Sequence, residues 1–360
     1  MSTAFLPARR TLLKAGLGSL ALLATGCTER TPQGSASSGL FELAGPTMGT
    51  TYSVRIFAPG LGAEKLAAAD EAVRAALDDV VRRMSSYDSE SELSRLNRHN
   101  ALTPFPVSAE LLAVLATSQR VSELSQGAFD VTVAPAVDSW GFGPGRGHRV
   151  PSDAEIAALS PRVGYRMLSL DSHARTVRKA RGDLRADLSG VAKGYGVDQV
   201  ARALDALDIE NYMVEAGGEI RTRGHNATHR PWQIGVERPD AYPQRAHLVV
   251  PLSGLAMATS GDYRIWFEQG GRRYSHEIDP ATGRPIGDRV ASVTVVAADC
   301  AYADAMATAL IVMGADAGEA LAEREGLAAY FILREPGGTL AERQTTAFAA
   351  LGGRPASRRA

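Results

Sequence analysis

Along residues 64–84 the apolar positions Leu66, Val73, Leu77, Val80 and Met84 recur at intervals of three, four and seven, which predicts an amphipathic helix from Glu64 to Met84. The same period predicts a helix over Ala109–Leu124. A further one starts near Val191, with Val197, Val200, Leu204 and Leu207 on one face. Elsewhere the pattern shortens to short apolar or alternating runs. Tyr52–Phe57, Tyr212–Ala216, Glu219–Arg223, Trp232–Glu237, His247–Leu252 and Ser292–Ala297 read as strands, and Met167–Leu170 with Thr176–Lys179 reads as a hairpin. Short gaps join most of the central strands. The expected fold is therefore α+β, a largely antiparallel sheet with flanking helices, rather than a doubly wound one. No internal repeat is visible.

The N-terminus stands apart from this pattern. Arg9, Arg10 and Lys14 precede the apolar run Ala15–Thr25, which is too short to span a bilayer comfortably and reads as an export signal. It ends in Leu23-Ala24-Thr25-Gly26-Cys27. That end resembles a bacterial lipobox, with Cys27 as the lipidated residue and Ala24 departing from the usual leucine. Arg9-Arg10-Thr11-Leu12-Leu13-Lys14 also resembles a twin-arginine signal, although an ordinary basic segment has the same form. The expected organisation is a signal over 1–27, a flexible tether rich in Ser, Thr, Gly and Pro over 28–40, one domain over 41–350 and a disordered tail over 351–360. The expected location is the cell envelope, lipid-anchored and facing the periplasm.

Composition adds two limits. The formal charge of −1 falls to about −4 once the signal is removed, which provides no footprint for nucleic acid. Of the two cysteines, Cys27 is the proposed lipid site and Cys300 is left without a partner, so no intrachain disulfide is expected.

The candidate chemistry lies in four stretches. Asp187-Leu188-Ser189-Gly190-Val191-Ala192-Lys193-Gly194 reads as a polar strand turning into a helix, with Ser189 as N-cap and free first-turn amides able to hold anionic oxygens. Its spacing is not that of a P-loop. His276, in Tyr274–Pro280, is the most suggestive of seven histidines, although a lone strand histidine can equally be structural. Asp304 and Thr308 stand one turn apart on a helix opening at Tyr302. They could give two hard oxygen ligands to Mg²⁺, or Thr308 could simply bond its own helix. Met48, between glycines in Gly45–Thr50, is core or turn filler unless its thioether lies against a flat ring. The loop Trp140–Gly147 is aromatic and glycine-rich, with no role readable from its residues.

Taken together, Gly45–Thr50, Ala128–Pro135, Asp187–Gly196, Glu215–Glu219, Thr259–Tyr263, His276–Pro285 and Ala303–Gly314 resemble the ApbE family of flavin transferases, in the family's order and over about Phe41–Leu333. The resemblance implies an enzyme that splits FAD, attaches FMN through its phosphate to a Ser or Thr hydroxyl of a target protein and releases AMP, with Mg²⁺ required. Residue by residue it places Met48, Tyr87, Ala128, Phe129, Asp130, Asp187, Lys193 and Ile278 at the FAD. It places the metal at the carbonyls of Gly190 and Ala307, the Asp304 carboxylate and the Thr308 hydroxyl, and makes His276 the base. Gly190 stands where many relatives carry alanine. The FAD cleft is expected between sheet and helices, and the implied target is a subunit of a membrane electron-transport complex. Two competing readings are an FAD pyrophosphatase, in which water replaces the protein hydroxyl, and a lipoprotein that binds FAD without chemistry.

Overall fold

The computed structural model describes residues 33–35 and 39–356, apart from 146 and 242. The signal segment with Cys27 and most of the tether lie outside the described residues. Among those described, no helix is long and apolar enough to cross a membrane.

A nine-stranded antiparallel sheet forms the frame, in the order Gln33–Ser35, Leu40–Thr47, Thr50–Phe57, Tyr212–Ala216, Glu219–Arg223, Ala256–Gly261, Val290–Ala297, Ala328–Arg334 and Leu340–Gln344. Most neighbours in the sheet are also consecutive strands of the chain, as the short gaps predict. The hairpin of Leu40–Thr47 and Thr50–Phe57 turns on Met48 and Gly49, both at positive φ (46° and 74°), with Thr47 facing Thr50. Two successive positive φ values make the primed turn that matches the twist of antiparallel strands.

Helices cover one face of this sheet. Ala63–Met84 buries Ala69, Val73, Leu77, Val80 and Met84, the stripe its periodicity specifies with Ala69 added, and packs with Val197, Val200 and Leu204 of the helix Ala192–Ala206. The helix Cys300–Met313 is buried almost all round, from Cys300 to Ile311, because it lies between the sheet and the helices Ala109–Leu124 and Ala192–Ala206. A helix apolar on every side belongs at such a position. The opposite sheet face packs Met257, Val296, Tyr330 and Ile332 against Trp232, Val250 and Phe348.

Several expectations are corrected. Trp232–Glu237 and Ala246–Leu252 do not join the central sheet. They form a three-stranded sheet with Arg354–Pro355, so the supposed tail pairs through Leu248↔Pro355 and Val249↔Arg354 and is ordered to Ala356. Part of the tether is also structured, since Gln33–Ser35 pairs with Leu40–Glu42. Short helices at Glu92–Arg98, Ala134–Trp140 and Asp153–Leu159 carry too few turns to show a period. The hairpin of Trp266–Gln269 and Arg272–Ser275 was also not anticipated.

Candidate functional site

The helix Ala192–Ala206 begins where Leu188-Ser189-Gly190-Val191 turns into it, with Val191 at the N-cap position and no side chain capping it. Ser189 is not the cap. Its amide and hydroxyl both donate to Asp187 Oδ1 (2.8 and 2.5 Å), making a local turn, and Asp187 is anchored through its own amide to the Val131 carbonyl (2.7 Å) rather than by a strand. The first-turn amides are not free as expected: those of Val191 and Ala192 both donate to the Leu188 carbonyl (3.0 and 2.8 Å), and the turn borders a cleft of about 300 Å³.

One turn in, Gly194 touches the Cys300–Met313 helix so closely that a methyl group there would stand 2.4 Å from the Cys300 carbonyl oxygen. Its amide donates to Asp304 Oδ2 at 3.0 Å. One turn further, Asp198 accepts from the amides of Cys300 and Ala301, both at 3.0 Å, capping the second helix from the first. Arg221 Nη1 supports Asp198 from the sheet at 2.6 Å. Burial pushes the Asp198 carboxyl up, and those two amides and Arg221 offset this. The two helices are thereby fixed at two points one turn apart, which sets Asp304 and Thr308 beside the Gly190 turn. Thr308 Oγ1 lies 3.0 Å from Ser260 Oγ, and a methyl placed on Gly190 would stand 3.1 Å from Thr308 Oγ1 and 3.2 Å from the Phe129 ring.

Lys193 reaches Glu219 Oε1 at 3.2 Å and Asp304 Oδ1 at 3.7 Å. The turn Gly217-Gly218, both at positive φ, brings Glu219 under it. Burial opposes the Lys193 charge, but Asp304 and Glu219 outweigh it and its pKa is raised. Burial raises the carboxyls of Asp304, Glu277 and Glu219, the last to about 8. Two buried acids thus flank one ammonium, a third, Glu277, acts on its charge from farther off, and Glu219 Oε2 has no hydrogen-bond partner. A cation would relieve both conditions. Among the described residues no three His, Cys, Asp or Glu side chains form a metal cage. The side-chain oxygens that line the cleft beside Gly190 are the Asp304 carboxylate and the Thr308 hydroxyl, hard donors that fit Mg²⁺ better than zinc or copper.

The Glu219 value carries a testable sign. Because its folded pKa lies above the ordinary value of 4.5, the stabilisation it provides is complete below that value and is lost as pH rises through about 8. In protein stripped of metal, Glu219→Gln is expected to raise the thermal midpoint relative to the native chain at about pH 9 and to change it little at about pH 5. Added Mg²⁺ should shrink the difference at the higher pH. Calorimetric scans across this range check it, and a difference independent of pH would contradict the assignment.

His276 does not lie on a strand. It occupies a bend between Arg272–Ser275 and Ile278–Asp279. The Ile265 carbonyl receives both its backbone amide and its Nδ1, each at 3.1 Å. A carbonyl oxygen can only accept, so Nδ1 carries the proton of the neutral ring and the lone pair is on Nε2. The ring lines the cleft, with Glu277 Oε1 3.7 Å from Nε2.

Of the remaining residues predicted for the site, Tyr87, Ala128, Phe129, Asp130, Asp187, Lys193 and Ile278 line the same cleft, as do Gly190, Asp304 and Thr308. Tyr87 is 71% exposed at its mouth, and Ile278 is buried at its wall. The Asp130 carboxylate is already engaged, accepting from the Thr132 amide and hydroxyl and from the Tyr165 amide. Met48 and Ala307 are not in the lining. Met48 packs against the core, its Cε 3.0 Å from where a methyl on Gly196 would stand, while Ala307 is fully buried. Asp198, Glu277 and Ser260 were missed as individual residues. An aspartate between Val197 and Val200 on a buried helix stripe was the readable sign of the first.

The model of the ApbE family matches residues 48–331. A Vibrio cholerae protein named FAD:protein FMN transferase is 44% identical over 324 residues, covering 89% of this chain and 93% of that protein. A Haemophilus influenzae protein of the same name is 43% identical over 304 residues, covering 83% and 88%. Among solved structures, a flavin transferase ApbE from Vibrio cholerae superposes with a TM-score of 0.78 at 42% identity, covering 86% of this chain and 98% of that one. An ApbE protein from Thermotoga maritima has the same TM-score at 31% identity, covering 87% and 99%.

Proposed function

This chain belongs to the ApbE family, and we propose from that premise that its cleft transfers FMN from FAD to a Ser or Thr hydroxyl of a target protein, releasing AMP. The observation that carries the chemistry is His276, whose ring lines the cleft with Nδ1 committed to the Ile265 carbonyl and Nε2 left as the basic nitrogen, together with the Lys193 and Asp304 cluster that lines the same cleft. The acceptor hydroxyl gives its proton to Nε2 as its oxygen bonds to the FMN phosphorus. The P–O bond to AMP breaks, and the proton is returned to the released phosphate. Lys193 places a fixed positive charge beside the pyrophosphate, and positioning and electrostatics provide most of the acceleration.

Mg²⁺, when bound, neutralises charge on the phosphate oxygens, and Asp304, Thr308 and the carbonyls of Gly190 and Ala307 are the groups that would hold it. Tyr87, Phe129 and Ile278 provide apolar surface for the flavin or adenine ring. A groove adjoining the cleft shares Ser86, Tyr87 and Asp187 with it, which lengthens the site toward what a dinucleotide needs.

The physiological target fits a subunit of a membrane electron-transport complex, and Cys27 fits a lipid anchor that holds the domain in the cell envelope. Mass spectrometry of the mature protein, if it shows an unmodified N-terminal region lacking acyl mass, removes the anchor from this reading. The activity is tested by incubating a candidate target with the protein, FAD and Mg²⁺. An added FMN mass on a Ser or Thr is expected. Free FMN and AMP with no adduct would favour the pyrophosphatase instead, and intact FAD would favour a binding protein.

A further inference from the structure

The hairpin of Trp266–Gln269 and Arg272–Ser275 is built with two unlike faces. Its tip is Gly270-Gly271, both at positive φ (62° and 72°), the two-residue turn of a tight hairpin. On one face Phe267 and Tyr274 stand opposite each other and stack at 5.2 Å. Phe267 also stacks on His148 at 5.0 Å and meets Phe142 at 5.6 Å, while Tyr274 meets Trp140 at 5.3 Å. Trp140 is pinned in turn by its indole N–H, which donates to the Gly283 carbonyl at 2.8 Å. The aromatic, glycine-rich loop thus has a structural task, to seat this hairpin.

The other face has no such cover. Trp266 is 43% exposed, with the Arg273 guanidinium 4.5 Å from its ring centre and Arg273 Nη2 donating to the Asp262 carbonyl at 2.7 Å. Ile265, just before the strand, is 52% exposed and lines the cleft, and its carbonyl is the group that holds His276. Of the five large apolar side chains exposed among the described residues, Tyr87, Ile265 and Trp266 lie at or next to this mouth. Flavin or adenine can cover Tyr87. Neither is needed at Trp266, on the outward face of the hairpin.

We propose that Ile265, Trp266 and Arg273 form the docking surface for the acceptor protein. This rests on the transferase reading, which requires a polypeptide hydroxyl to arrive at His276 Nε2. Ile265 lines the cleft beside that atom, and the hairpin follows directly from it in the chain at Trp266. Trp266, stiffened by Arg273, is the type of residue that anchors protein contacts, a large planar surface with little entropy to lose. On this face Arg273 stands opposite Glu268, while Arg272 lies over Tyr274 on the seated face, so the exposed surface suits an apolar or aromatic side chain of the acceptor rather than a charged one.

The test uses an apo-acceptor made in a host lacking any transferase and shown to take FMN from the Vibrio cholerae relative. With the full-length protein, Trp266→Ala is expected to raise KM for this acceptor about tenfold or more, with kcat changed less than about twofold and FAD affinity unchanged, and Trp266→Phe to restore most of the loss. Equal KM values for Trp266→Ala and the native protein overturn the proposal and leave the transferase reading standing. Loss of FAD affinity together with transfer means that Trp266 supports the cleft, and also overturns it. So does conversion of a dimer to a monomer at unchanged KM, which makes the face a contact between copies. No transfer by the native protein, where the relative succeeds, overturns the transferase reading and this proposal together.

Discussion

Asp304→Asn is expected to lower transfer by about 10³-fold or more while the fold survives, since a bound cation contributes several kcal/mol of charge stabilisation in the transition state. The substitution is nearly isosteric. The amide oxygen of asparagine can still accept the Gly194 N–H, so the contact that holds the two helices together is retained. What disappears is the negative charge, the only carboxylate in the proposed donor set of Asp304, Thr308 and two carbonyls, and one of the acids that balance Lys193. Calorimetric titration with Mg²⁺ should show the affinity collapse independently of turnover. Thr308→Ala gives up only a neutral ligand, one that shares its hydroxyl hydrogen bond with Ser260, so raised Mg²⁺ should recover part of its activity and much less of that of Asp304→Asn. If Asp304→Asn keeps native turnover at low Mg²⁺, the cation is held elsewhere and this helix is only packed.

His276→Ala should cost about 10² to 10⁴ in transfer rate, the usual span for a lost general base, with FAD affinity little changed. The geometry makes this a clean deletion. The ring's hydrogen bond runs from Nδ1 to the Ile265 carbonyl, with Glu277 Oε1 3.7 Å from Nε2 and the Phe142 ring at 6.4 Å, and the backbone amide of residue 276, which uses the same carbonyl, is untouched by the substitution. Stopped-flow transfer rates beside a fluorescence titration with FAD separate the two effects. Equal losses in binding and rate would make His276 a wall of the cleft rather than its base.

Much of this was legible before any coordinates, for a physical reason that differs by element. Long helices repeat their pattern enough times to be unmistakable, so Glu64–Met84 and Ala109–Leu124 are found almost to the residue. The helix Cys300–Met313 opens two residues earlier than its motif suggests, because an all-round apolar helix has no stripe to mark its start. Ser189 looks like a cap because its residue type favours one. Asp187, two positions earlier, competes for the same hydroxyl and wins. Asp130 shows the opposite limit: its motif marks it correctly as a cleft residue, yet its carboxylate is spent on Thr132 and Tyr165. The Gly270-Gly271 pair is a two-residue hairpin signal, but the flanking strands are only four residues each, too short to show a period. What no local pattern can disclose is partnership at a distance, such as Asp198 with Cys300 or Arg221 with Asp198.

That last pairing also determines when the site can exist. The bonds that frame it join Gly194 to Asp304 and Asp198 to Cys300 and Ala301, across 110, 102 and 103 residues of chain. Every strand from Tyr212 to Ala297 lies between, so the two helices can meet only after that whole segment has closed on itself. Contacts of such separation are the slow ones, because the entropy of closing the loop is spent before the contact returns anything. A chain emerging from the ribosome therefore cannot set Asp304 and Thr308 beside the Gly190 turn until residue 308 is free.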